Sequence, residues 1–158
     1  MPNWCENKLT VTNSTPELEA FLQEHGLSFG AIVKPNIPEY DENNFGTIEA
    51  QVTAWGTKWD LKDDEQKAAA ASLLESGECH FDTAWSPPLE AISALSELTG
   101  ASFRLAYNEQ GMAFYGIAEF ADGSCSDDCS CIEDRKEYAK FLVKYMDYRK
   151  DDVAEFFD

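Results

Sequence analysis

The sequence predicts an α+β fold made of two β-α-β-β units, and three observations predict it. The first is an internal repeat. Thr12-Asn13-Ser14-Thr15-Pro16-Glu17-Leu18-Glu19-Ala20 aligns with Thr83-Ala84-Trp85-Ser86-Pro87-Pro88-Leu89-Glu90-Ala91 at an offset of 71, with five of nine positions identical. The second is that each copy reads as a strand running into an amphipathic helix. The third is the pair Ser28-Phe29 and Ser102-Phe103, which follows each helix and opens the next strand. A duplicated unit of this order is the ferredoxin-like arrangement: an antiparallel or mixed sheet with helices on one face.

Each element has a local reason. Thr15 and Ser86 supply N-cap hydroxyls for the orphan amides of a first helical turn. Pro16 and Pro87 follow at the first helical position, where no N–H is needed. Leu18, Phe21 and Leu22 form one apolar stripe, and Leu89, Ile92 and Leu95 the other. Gly26 and Gly100 stand where the two helices end.

A third strand is expected in each unit. In the first it covers Thr47–Trp55, where Ile48, Ala50, Val52 and Ala54 alternate with polar residues. In the second it covers Met112–Phe120, with Met112, Phe114, Ala118 and Phe120 on one face after a turn at Asn108–Gly111. Between the units, Asp63–Ser76 reads as a helix with acids in its first turn and Gly77 after it. The core is thus expected over 1–121, with halves at about 1–60 and 78–121 and a linker helix at about 63–76. Residues 122–158 add a Gly/Ser/Asp/Cys loop and an amphipathic helix packed on the core, with Tyr138, Phe141, Leu142, Tyr145 and Met146 on one stripe.

Composition narrows the class. The 158 residues are 44% hydrophobic and 13% aromatic, enough to build a core without disulfides or metals. No stretch approaches a membrane span, the N-terminus has no signal-like pattern, and the five cysteines are odd in number. These features point to a reducing cytoplasm and to free thiols. Thirty acids against twelve bases give a net charge of −18, spread as −6 over each of residues 1–60, 61–110 and 111–158. Such a field repels nucleic acid and anionic lipid and attracts a basic protein surface. Plain solubility is the competing account of the same charge.

All four tryptophans fall in three segments: Pro2-Asn3-Trp4-Cys5-Glu6-Asn7, Trp55-Gly56-Thr57-Lys58-Trp59-Asp60 and Phe81-Asp82-Thr83-Ala84-Trp85-Ser86-Pro87-Pro88. Aromatic walls with a few directed polar groups suit a binding pocket. On that reading the candidate ligand-binding residues are Asn3, Trp4, Trp55, Lys58, Trp59, Asp60, Asp82 and Trp85. The alternative is that the tryptophans plug the core and give their indole N–H to a neighbour such as Asp60 or Asp82.

These segments, with Met1-Pro2-Asn3-Trp4-Cys5-Glu6-Asn7-Lys8-Leu9-Thr10-Val11-Thr12 and Gly111-Met112, resemble the YubB-like, ferredoxin-like domain family of phage and plasmid proteins over about residues 1–120. The resemblance implies a ferredoxin-like fold and a mobile-element origin. It carries over no catalytic residue, cofactor or ligand set.

Catalytic patterns are sparse. The chain has no Gly-x-Gly-x-x-Gly, no P-loop pattern and no Gly-x-Ser-x-Gly elbow. His25 and His80 are its two histidines. Cys125, Cys129 and Cys131 form C-x3-C-x-C, a spacing that suits a tetrahedral zinc site poorly, so no metal or other cofactor is expected. The basic and aromatic pattern of an RNA-reading sheet is missing. The sequence therefore points to a non-catalytic acidic binding protein that engages a basic host protein, in the extreme case a DNA mimic acting on a defence factor. The alternative is a small-ligand or catalytic pocket at the tryptophan segments. No direct nucleic-acid or membrane partner is expected, and an exposed tail helix is the route to a homodimer.

Overall fold

The computed structural model describes residues 3–157. Met1, Pro2 and Asp158 lie outside the described residues. Strand β1 (Trp4–Asn13) turns Cys5, Asn7 and Leu9 inward by simple alternation. Helix α1 (Pro16–His25) starts as the sequence predicts: Thr15 Oγ accepts the Leu18 amide at 3.1 Å, and Pro16 opens the helix. Gly26 ends it with φ +70°, a conformation in which a side chain is strained.

The first unit then departs from the expected strands. Ser28-Phe29 opens a short helix, α2 (Phe29–Ile32), because Ser28 Oγ caps the Ala31 amide at 3.2 Å and the Asp60 carboxylate accepts the amides of Phe29 and Gly30. Thr47–Trp55 is helical too, within α3 (Phe45–Trp55). The alternation at Ile48, Ala50, Val52 and Ala54 is degenerate with a helical stripe: Thr47, Ile48, Ala50, Gln51, Ala54 and Trp55 are the shielded residues, at helical spacing, while Val52 is exposed. The ends decide between the two. Asp41 accepts the amides of Gly46 at 3.3 Å and Thr47 at 2.6 Å, and Gly56, at φ +85°, closes the helix through its own N–H to Val52 O at 2.8 Å.

Helix α4 (Asp63–Ser76) occupies the predicted linker and stops at Gly77. Next come β2 (Glu78–Ala84) and α5 (Leu89–Thr99), which ends at Gly100. Ser86 and Pro87 do not start α5. Pro88 holds the N-cap position, and Ser86 Oγ donates instead to Gly56 O at 2.6 Å.

β3 (Ser102–Glu109) and β4 (Phe114–Ala121) form a hairpin whose turn is held by Glu109. Its buried carboxylate accepts the amides of Gly111 and Met112 at 2.7 and 2.8 Å. Met112 therefore sits exposed in the turn and not on the inner face of a strand. The segment read as an acidic loop is strand β5 (Ser124–Cys131). Every one of its residues is exposed, and it pairs with β4 from Phe114↔Cys131 to Ala121↔Ser124. Gly116 makes room for this junction: Tyr107 crosses over it to donate to Asp127 at 2.5 Å, and a Cβ at Gly116 would strike the Tyr107 hydroxyl.

The sheet is antiparallel throughout, in the order β2-β1-β3-β4-β5. One face buries Leu9, Phe81, Phe103, Leu105 and Phe120 with Leu18, Leu22, Leu73, Ile92 and Leu95 from α1, α4 and α5. The other face is covered by α6 (Arg135–Tyr145) and a 3-10 helix (Lys150–Phe157), with Tyr138, Ala139, Phe141, Leu142, Met146 and Val153 against Ala106, Tyr115 and Ile117. Burying each large apolar side chain contributes about 1.5–3 kcal/mol, which is why the aromatic stripe of α6 lies on the sheet. The result is an α+β, ferredoxin-like antiparallel sheet with a C-terminal helix. Among the described residues no helix is long and apolar enough to cross a membrane.

Candidate functional site

The three tryptophan segments converge at one end of β1 and β2. Register alone brings two of them together, because Trp4 pairs with Ala84 and Glu6 with Asp82. The third is attached by side-chain bonds. Thr57 Oγ donates to Ala84 O at 2.7 Å, and Ser86 Oγ to Gly56 O. Gly56 is required here, since a Cβ would collide with the Glu90 carboxylate and the Leu89 amide. Asn7, fully buried, locks the crossing with donations to Cys5 O at 3.0 Å, Phe81 O at 3.2 Å and Thr83 Oγ at 2.9 Å.

The tryptophans divide into two kinds. Trp55 is 4% exposed and donates its indole N–H to Val33 O at 2.9 Å, so it is core architecture and not a site residue. Trp4, Trp59 and Trp85 are 52%, 41% and 44% exposed. Trp4 and Trp59 have ring centroids 6.2 Å apart. Lys58 Nζ stands 4.4 Å from the Trp59 centroid and 4.2 Å from the Trp85 centroid, so one ammonium is shared by two indole faces. Trp85 is held with φ +73° by its own N–H to Asn3 O at 2.8 Å. Positive φ on a bulky residue is strained, and here it turns the ring outward.

The two aspartates also divide. Asp60 accepts from the amides of Phe29, Gly30 and Leu61 and from Ser28 Oγ, at 2.8–3.2 Å. It is a structural clamp between the start of α2 and the start of α4, and neither it nor Asp82 accepts the Trp55 indole. Asp82 is different. Burial first, and then the Glu6 carboxylate opposite, push its carboxyl above the ordinary carboxylate range. Glu6 is held by Tyr148, whose hydroxyl lies 2.7 and 2.8 Å from its two oxygens.

Beside this platform runs a groove of about 390 Å³ between Trp4 and Trp59, the Asp60-Leu61-Lys62 turn with Glu65, and Asp82, Thr83 and Ala84 of β2. Sequence reasoning missed Lys62 and Glu65, which enter only because α4 lies alongside β2. Glu6 was within reach, since alternation from Trp4 places it on the same face.

The remaining candidates are structural or dispersed. His80 Nε2 lies 2.8 Å from Asp147, which also accepts Lys8 Nζ; both partners hold the Asp147 carboxyl below its usual range. Cys125, Cys129 and Cys131 are strung along extended β5 and do not converge. Among the described residues no group of three or more His, Cys, Asp or Glu side chains is placed to hold a metal ion.

No curated protein and no solved structure matches this chain. Residues 54–147 match the family described as the ferredoxin-like domain in Api92-like protein. That stretch runs from the Lys58 loop through β2, the hairpin and α6, more than half of the molecule. It holds two of the three tryptophan segments, and with the antiparallel sheet it makes the chain a member of the ferredoxin-like domain family of Api92-like proteins.

Proposed function

We propose that this chain is a non-catalytic binding protein whose acidic, tryptophan-rich platform engages a basic surface of a partner protein. The observation that carries this reading is the exposed trio Trp4, Trp59 and Trp85, with Lys58 over Trp59 and Trp85 and Trp4 beside Trp59. Three half-exposed tryptophans in one patch are costly to leave in water, and tryptophan dominates the energetic centres of protein interfaces. Indole faces accept cations, and Glu6, Asp82 and Glu65 border them in a chain of net charge −18. The finer form of the reading is a phage- or plasmid-type protein of YubB-like kind that mimics DNA to occupy a host defence factor. The even spread of negative charge supports it.

A second reading is a small-ligand pocket, favoured by the groove of about 390 Å³ beside Trp4 and Trp59. Trp fluorescence separates the two. Titration with a tetra-arginine peptide should quench emission at low salt. The effect should vanish near 0.5 M salt, where screening acts within a few ångströms (about 3–5 Å). Quenching by a neutral metabolite at both salt concentrations, with none by the peptide, would overturn the basic-partner reading.

A further inference from the structure

We propose that the free edge of β2 takes an extended basic segment of a partner protein as a sixth strand, in the groove between β2 and α4. The inference rests on the platform reading above and names how the partner docks.

β2 ends the sheet order, so it pairs with β1 on one side only. In an antiparallel strand every second residue turns its N–H and C=O away from the neighbour it pairs with. The outward carbonyls at its two ends are taken, Glu78 O by Ser72 Oγ and Ala84 O by Thr57 Oγ; between them His80 and Asp82 have no backbone partner on the outer side among the described residues, and such an open stretch of edge is a template for another strand. Helix α4 lies along this edge but is bonded to it at one end: Ser72 Oγ donates to Glu78 O at 2.6 Å, and Ser76 Oγ does so at 3.3 Å. Past that point the two elements leave a groove of about 460 Å³. Its α4 side is lined by Glu65, Ala68, Ala69 and Ser72, and the two alanines keep the middle of that wall low. It shares Trp4, Lys62, Glu65 and Asp82 with the groove beside the platform, so the path along β2 leads to the exposed tryptophans.

Charge selects the occupant. Asp82 faces Glu6 across the strands, and like charges directly opposite destabilise a sheet. A lysine or arginine on the added strand relieves that pair, and Glu65 adds a second anion against the single ammonium of Lys62. A second copy of this chain brings −18 to −18 and is disfavoured.

The test uses the full chain, isotope-labelled, and an octapeptide of alternating lysine and valine at low salt. Amide signals of alternate residues between Cys79 and Thr83 are expected to shift, and their hydrogen exchange to slow at least roughly tenfold. The same peptide N-methylated at every residue offers no amide N–H on either of its edges and should bind roughly tenfold or more weakly. Ala68→Trp, which fills the groove from an exposed position, should weaken binding similarly while leaving the unfolding midpoint unchanged. Quenched tryptophan emission with unprotected β2 amides and full binding of the N-methylated peptide would leave the platform reading standing and sink the edge pairing. Absence of both signals would sink the two together. Amide protection that grows with protein concentration in the absence of peptide would mean that a second copy holds the edge, and would overturn the proposal.

Discussion

The two edges of the sheet are built on opposite principles. β5 is eight residues long, made of Ser, Asp and Cys, and exposed at every position. β2 is seven residues long, alternates buried and exposed residues, and is flanked by a helix, a groove and three tryptophans. Unpaired strands invite aggregation unless charge or cover discourages it. Asp127 and Asp128 defend β5 by charge, which asks nothing of its shape. β2 has cover along α4 and an acidic approach, which admits one class of strand and repels others. A sheet can therefore be closed to self-association at one end and selective at the other without any difference in backbone chemistry.

The largest contrast should appear in thiol chemistry. Cys79 on β2 is buried and its thiol is pushed up to about 12 by burial, while Cys125, Cys129 and Cys131 on β5 are exposed. Cys5, also buried, is pushed up further by burial and Glu109. Ellman titration of the native protein should label the three β5 thiols first. Cys5 and Cys79 should react only through unfolding, slower by roughly a thousandfold or more for a domain of about 5 kcal/mol stability. Five thiols labelling together would mean that the β2 side opens freely.

Core packing behind β2 comes next. Leu73→Ala removes a buried side chain that ties α4 to the sheet and should lower stability by about 2–5 kcal/mol in urea unfolding. Gly116→Ala acts on the β5 side. Its Cβ meets Tyr107 and the Asp128 carbonyl, with an expected cost of about 1–3 kcal/mol. If Gly116→Ala costs nothing, Tyr107 does not pin β5 to Asp127.

The smallest effect is electrostatic. The raised Asp82 carboxyl means that ionising it opposes folding at neutral pH, so that part of stability returns as pH falls towards its folded value. Asp147 runs the other way. Its lowered carboxyl contributes stability that is present above the ordinary carboxylate range and lost as pH falls through its folded value. Asp82→Asn should therefore raise the unfolding midpoint slightly near pH 7 and leave it unchanged in acid. Asp147→Asn should lower it near pH 7 and converge with the parent in acid. Acid-only differences for either variant would reverse the assignment.

How much of this could be read beforehand depended on whether the signal was local. The Thr15-Pro16 start of α1, the Gly77 and Gly100 stops and the α6 stripe are short-range devices, and each sits where the sequence places it. Thr47–Trp55 was misread because a short apolar run satisfies two periods at once, and the Asp41 and Gly56 bonds that choose the helix act from outside the run. β5 was invisible because it has no apolar residue, and its pairing is supplied by the backbone of β4. The site was half legible. The three motifs marked its place, but Trp55, Asp60 and the exposed trio carry the same composition and differ only in what surrounds them.

By itself, then, the sequence determined the fold class, the caps of α1, the Gly77 stop of α4, the acidic surface and the segments that matter, because propensity, periodicity and charge are properties of neighbouring residues. Only the tertiary structure decided that Trp55 is core while Trp4, Trp59 and Trp85 face water, the last two sharing Lys58, and that α4 leaves a groove beside the edge of β2. Burial and edge exposure are set by what packs against a residue from far along the chain, and no local pattern records that.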